Sequence, residues 1–243
     1  MSTLSSSSLM TKWSPVTSDF GLIQAPIERV LAELQSWHNS IGIEYARTAI
    51  TSSLADAFES LLPLSNSMMR RLFLPTHSDW VACFQNGIQG SDPFPAMSYL
   101  ARQMGVLAMR VCSIPDNALY PATIWEVYAP ESLGGQKPLG YRRTISVAND
   151  GGRWVFDESG ERFPFEQVER YTERRRYDRF TREMLRDYLR EFGIELFSDD
   201  FLHVGEESPA VRLQQVTKVW QTPEFTLEEV VAGVPWHRTD RAY

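Results

Sequence analysis

The sequence predicts an α+β fold: a mainly antiparallel sheet with a β-meander near 140–166 and several packed helices. Three observations carry this. Strand-like and helix-like segments interleave irregularly, whereas a parallel sheet would call for regular alternation. Between Tyr141 and Glu166 the runs YRRTISVA, RWVFD and RFPFE are separated by the polar breaks NDGG and ESGE, a meander pattern. Four further windows place apolar residues at helical spacing.

In chain order, DFGLIQ (19–24) reads as a short strand, and Pro26 opens a helix at a position where proline is tolerated. Ile27, Val30, Leu31, Leu34 and Trp37 bury one face of that helix, and His38 sits near its negative C-terminal end, where a cation is favoured. IEYART (43–48) reads as a strand, and Ser53 with Asp56 starts a second helix carrying Leu54, Phe58, Leu61 and Leu62. RRLFLPT (70–76) and WVACFQN (80–86) are strands, followed by the turn signals NG and GSDP. Asp92 before Pro93 suits an N-cap, and Phe94, Met97, Leu100, Ala101 and Met104 form a core-facing stripe that Gly105 ends. VLAMRVCS (106–113) and TIWEVYA (123–129) are strands. After the meander, Thr181 caps a helix with Met184, Leu185, Tyr188, Leu189 and Phe192, closed by Gly193. A late strand is expected within 210–221, then a short helix opened by a capping box at Thr226 and Glu229.

The chain of 243 residues is long enough for one substantial core. We expect a disordered serine-rich tail over 1–14 and a single domain over 15–243, with 129–140 as the loop that would join two lobes. The tail lacks the basic and apolar regions of a signal peptide, and no apolar run reaches the length of a membrane span, so a cytoplasmic location without membrane contact is expected. A formal charge of −7 disfavours nonspecific nucleic-acid binding, which depends on neutralising phosphates. Cys83 and Cys112 lie in apolar strand-like runs and read as reduced, buried thiols.

The densest polar stretch is HSDWVACFQNGIQGSDPFPAM (77–97). Metal binding would have to recruit His77, Asp79 and Asp92, with His203 or His237 arriving from far along the chain. No CxxC or Cys/His cluster is present, and no metal or cofactor is expected. A nucleophilic Cys83 would need a base and an electropositive, exposed setting. There is no GxSxG elbow, and GIQGSD lacks the Lys-Ser/Thr pair of a phosphate loop. Asp150, Asp157, Glu158, Asp199 and Asp200 read as turn residues. The economical reading is that Asp79 and Asp92 shape the backbone, and no catalytic residue is assigned. If a small-molecule or enzyme pocket exists, it is expected around Trp80, Asn86 and Asp92, with His77 beside it.

Residues 169–191 interleave eight arginines with Tyr171, Tyr177, Phe180 and Tyr188, and six acidic residues run among them. Mixed charge of this kind marks a solvated face laced with ion pairs. Forked guanidinium groups, Arg175 and Arg179 among them, also suit carboxylates at a protein interface.

The runs DWVACFQNGIQGSDPFPAMSYLARQMG, TISVANDGGRWVFDESGERFPFE and DRFTREMLRDYLREFGI resemble a bacterial family of unknown function, over about residues 15–203. Some of its members are similar to immunity proteins of antibacterial toxin systems. The resemblance carries no catalytic motif and implies a soluble, acidic protein that binds a protein partner. The expected function is therefore a non-catalytic binding protein of immunity type, covering its partner with an acidic and aromatic surface.

Overall fold

The structure, a computed structural model, describes residues 9–118, 120–196, 198, 200–217 and 222–234. Its strands are β1 (Asp19–Ile23), β2 (Tyr45–Ile50), β3 (Leu64–Ser65), β4 (Arg70–Pro75), β5 (Val81–Gln85), β6 (Ala108–Ile114), β7 (Ala122–Tyr128), β8 (Tyr141–Asp150), β9 (Arg153–Gly160), β10 (Ala210–Gln215) and β11 (Glu224–Phe225). Its helices are α1 (Leu9–Lys12), α2 (Ile27–Ser40), α3 (Leu54–Glu59), α4 (Phe94–Met104), α5 (Arg182–Arg190) and α6 (Leu227–Val231). Nine strands form one antiparallel sheet in the order β2-β10-β4-β5-β1-β6-β7-β8-β9, and β3 pairs with β11. The α+β expectation holds.

Alternation along the strands divides the core between the two sheet faces, because successive side chains point to opposite sides. Ile23, Phe73, Val81, Cys83, Ala108 and Tyr128 meet α2 and α4 on one face. Phe20, Leu22, Leu72, Phe84, Val111, Trp125 and Ile145 meet α3 and α5 on the other. The centre of the sheet is buried on both sides, so β1 and β5 are buried throughout. At Gly21 an added Cβ would lie 2.6 Å from Met97 Sδ, so glycine lets α4 lie close against β1.

Several local expectations hold for the reasons given. Ser53 Oγ accepts from the Asp56 N–H at 3.0 Å, Thr181 caps α5 through the Met184 N–H, and Thr226 and Glu229 form a reciprocal capping box. NDGG makes the tight β8–β9 hairpin, with Gly151 and Gly152 both at positive φ, as a two-residue primed turn requires.

Others are corrected. The meander is β7-β8-β9: RFPFE is an irregular segment, and ESG belongs to the end of β9, paired with Arg143–Ile145. Phe163 and Phe165 pack as a stacked pair against Trp125, so their apolar character fills the core and adds no strand. Asp157 and Glu158 therefore lie in a strand; Asp199 falls outside the described residues. The expected tail is ordered from Leu9, because Trp13 is buried and stacks on Phe58; residues 1–8 lie outside the described residues. The segment 129–140 links β7 to β8, neighbours in the same sheet, so it is no boundary between lobes. Residues 218–221 of the expected late strand are likewise outside the described residues. Among the described residues no helix is long and apolar enough to cross a membrane.

His38 does not serve as a cation at the end of α2. It is 3% exposed, its ring stacked on Trp37 and edge-on to Tyr45, and burial with the nearby Arg71 charge pulls its pKa down to about 4. The unfolded chain takes up a proton near pH 6.5 and the folded protein does not until about pH 4. Between those values the unfolded state binds more protons, so stability rises with pH across the window. Urea unfolding at pH 5 and pH 7.5 is expected to show wild type losing stability at the lower pH by more than His38→Phe does. Equal pH dependence in the two proteins would refute a neutral buried His38.

Candidate functional site

The polar residues of 77–97 disperse in the fold. His77 is exposed beyond the start of β5, its ring centroid 4.8 Å from that of His203; His237 is outside the described residues. Trp80 is buried, and its Nε1 donates to the Phe192 carbonyl at 3.0 Å. Asn86 is also buried: its Oδ1 accepts from the Arg70 N–H and its Nδ2 donates to the Pro63 carbonyl, both at 2.9 Å. These two side chains hold backbone together and do not converge with Asp92 on one pocket.

Asp92 overturns the capping expectation. Pro93 occupies the cap position of α4, and no side chain caps the helix. The Asp92 N–H is held by Gln85 Oε1 at 3.0 Å, and the residue itself is exposed. It borders a cleft of about 420 Å³ at the start of α4, lined among others by Asp19, Ser65, Gly87, Ser91 and Arg110. The loop along this cleft is fixed: Ser91 Oγ accepts from the Gln85 N–H at 2.7 Å, and the Ser91 N–H donates to the Asp19 carbonyl at 3.0 Å.

Behind the cleft lies a charged network. Arg110 forks onto Asp19, through Nε at 3.0 Å and Nη2 at 2.6 Å, and its Nη1 lies 3.6 Å from Glu126. The Tyr128 hydroxyl donates to Glu126 in turn. Burial pushes the Asp19 carboxyl up to about 6, against the pull of Arg110, and Glu126 and Asp92 push the same way as burial. Two carboxylates thus share one guanidinium, with the Asp92 charge close enough to act on the first. The sequence reading missed Asp19, Arg110 and Glu126. The available signal was a charged residue inside an otherwise apolar strand, and pairing of Arg110 with Glu126 across β6 and β7 is what joins them.

A second cleft, of about 320 Å³, opens between β9 and the start of α5. Trp154 and Tyr177 line it with ring centroids 5.8 Å apart and planes tilted by 49°, and Tyr177 is 39% exposed. Asp116, Asp178 and Glu183 also line it, and none of them makes an ion pair within 4.0 Å among the described residues. Arg175 does not line it, but donates to the Tyr177 hydroxyl at 2.8 Å and lies over that ring, 5.9 Å from its centroid. Arg179 is occupied elsewhere: its Nε donates to the Glu173 carbonyl at 2.8 Å and its guanidinium covers Phe156. The Arg-rich segment folds as two short 3-10 turns followed by α5, with ion pairs such as Arg170–Glu173 and Arg190–Glu195 along it.

The expectation of a broadly aromatic surface is corrected. Trp13, Trp80 and Trp125 are buried, and most described aromatic side chains stack within the core, because aromatic area is most effective out of water. Cys83 and Cys112 are free and buried, facing Gly21 and Asp19 across β1 from opposite sides. Burial pushes the Cys83 thiol up to about 12 and raises Cys112 as well, so neither is set up as a nucleophile. Among the described residues, no group of three or more His, Cys, Asp or Glu could hold a metal ion. No family of known proteins, no curated protein and no solved structure matches this chain.

Proposed function

We propose that the protein is a non-catalytic binding protein that recognises a protein partner through the cleft between β9 and α5. The observation that carries this reading is the meeting of the half-buried Trp154 ring and the exposed Tyr177 ring with three carboxylates, Asp116, Asp178 and Glu183, that make no ion pair among the described residues, with Arg182 as the one cation lining the cleft there. A lysine or arginine side chain of a partner fits that chemistry. Its charge meets Asp116, Asp178 and Glu183, and its cationic head meets the face of Trp154, a cation–π contact worth about 0.5–2 kcal/mol, while Arg175 of this chain already lies over Tyr177. The net charge of −7 would speed the approach of a basic partner. An immunity-type role, with a toxin as partner, is one form this binding would take.

Affinity capture from the native host tests the reading with three baits: wild type, Asp178→Lys, and Glu206→Lys as a remote charge control. A stoichiometric partner held by wild type and control, and bound at least about tenfold more weakly by Asp178→Lys, is expected. No stoichiometric partner, or equal binding by all three baits, would count decisively against it.

A second reading is favoured by one observation. Asp92 and the Asp19 carboxyl, raised to about 6, border a pre-formed cleft of about 420 Å³. A small cationic ligand, not the pocket around Trp80 and Asn86, is the form this alternative takes.

A further inference from the structure

The nine-stranded sheet ends on two edge strands, β2 and β9, and the chain treats them differently. At β9 the Trp154 carbonyl accepts from Arg176 Nη1 at 3.2 Å, and Asp157 and Glu158 set charges along the strand. β2 has no such cover. Ala46, Arg47, Thr48 and Ala49 are all exposed, and the strand holds no proline and no bulge against β10. Its one charge, Arg47, is already forked onto Glu28 of α2 at 2.9 and 2.5 Å. Ile41 and Val216, each 56% exposed, flank the start of the strand.

The pairing with β10 shows which main-chain groups are left over. The Val216 N–H donates to the Glu44 carbonyl at 2.9 Å, which turns Glu44 toward β10, and alternation turns Ala46, Thr48 and Ile50 the same way. Tyr45, Arg47 and Ala49 therefore direct their N–H and C=O groups away from the sheet, where no described residue meets them. An uncovered, nearly neutral edge is a template for another strand, and proteins that leave an edge open block it with charge, proline or a bulge. β2 lacks each of these.

We propose that β2 pairs antiparallel with β2 of a second copy, the two-fold axis passing between their Thr48 residues. The strand is complementary to itself. A two-fold axis normal to the sheet keeps each face continuous, so residues meeting across the join come from the same face. Two registers overlap most of the strand. Centred on Arg47, the two guanidinium side chains would stand directly opposite, which is unfavourable. Centred on Thr48, threonine meets threonine in the close, non-hydrogen-bonded position, and Ala46 meets Ile50. Arg47 and Ala49 of the two copies then exchange main-chain bonds in both directions. Each Arg47 keeps its own Glu28, so the strand offers a foreign charged partner little to steer by and a second copy little to repel. This edge lies at the far end of the sheet from β9 and stands independently of the partner-binding reading.

A join of one short strand per copy is small, so a dissociation constant of about 10–100 µM is expected. Sedimentation velocity over about 5–500 µM, in about 0.3 M NaCl to screen the −7 charge of each copy, is expected to show monomer passing to dimer. Ala49→Pro removes an outward N–H and no bond to β10. It is expected to weaken the dimer at least about tenfold while its unfolding midpoint stays close to wild type. Thr48→Cys is expected to cross-link on mild oxidation, because Cα atoms in that position lie about 4.5 Å apart. Arg47→Cys, about 7–8 Å from its copy, is expected to stay reduced. Cys83 and Cys112 are buried and leave the readout to the new thiol. Monomer at every concentration would leave the edge to a strand of another protein and overturn the proposal. A dimer as tight in Ala49→Pro as in wild type, or equal cross-linking at both cysteine positions, would overturn it too. Wild-type sedimentation and the two cysteine variants decide the matter even if Ala49→Pro fails to fold.

Discussion

Replacing Glu166 with alanine is expected to destabilise the protein by about 3–5 kcal/mol, the usual loss when one partner of a buried ion pair is removed. Arg143 is 1% exposed, lying on β8 under the segment that follows β9. Its Nε reaches Glu166 Oε1 at 2.9 Å and its Nη2 reaches Oε2 at 2.7 Å, with Glu158 and the Ser159 carbonyl as further acceptors. Glu166 also accepts from the Phe163 N–H and the Tyr171 hydroxyl, each at 2.8 Å, and Tyr171 continues to Tyr188 of α5 at 3.0 Å. Every member is bonded, and the network ties β8, the 161–166 segment and α5 into one unit. Alanine at 166 would leave a buried guanidinium short of half its charge-assisted bonds. Urea unfolding should show a lowered midpoint, and thermal unfolding a fall of about 10 °C. The double variant Arg143→Met, Glu166→Leu should recover much of the loss, since an apolar pair leaves no stranded charge. A loss under about 1 kcal/mol in the single variant would show that the network contributes little.

Trp80→Ala carries the second large effect, about 3–5 kcal/mol, from lost burial and the cavity left behind. Trp80 is 2% exposed and packs edge-on against Phe192 with centroids 6.2 Å apart, while its Nε1 holds the Phe192 carbonyl at the end of α5. The side chain thus links β5 to the helix on the opposite side of the core. Trp80→Phe should retain most of the stability, losing some of the packing and one hydrogen bond worth about 1 kcal/mol. The comparison separates two roles for a residue that the sequence offers as a binding candidate. If Trp80→Ala weakened partner binding while leaving the unfolding midpoint unchanged, the structural role would be wrong.

The apolar pattern carried much of the fold. The stripe from Phe94 to Met104, the capping pairs at Ser53 and Thr226, and the NDGG turn each rest on interactions within a few residues, and each forms as expected. Expectations failed where a distant partner outbid the local one. Asp92 sits one residue before the cap position, which Pro93 takes, and its backbone is held there by Gln85; RFPFE gave up strand pairing because Phe163 and Phe165 pack on Trp125. The candidate sites were less legible. Asp92 does border a cleft, and Arg175 touches Tyr177 of the other, but Asp19, Arg110 and Trp154 line them through strand register, which no local spacing encodes.

By itself the sequence determined the α+β class, the burial of both cysteines, and the positions of most helix starts and hairpin turns, because hydrophobic period and backbone preference act over a few residues. Only the tertiary structure decided which charges meet. Antiparallel pairing in the order β5-β1-β6-β7 brings Asp19, Arg110 and Glu126 together, and the docking of α2 against the sheet buries His38 between Trp37 and Tyr45. Electrostatic contact depends on distance in space, and the chain separations involved, from 16 residues to 91, leave no local trace of it.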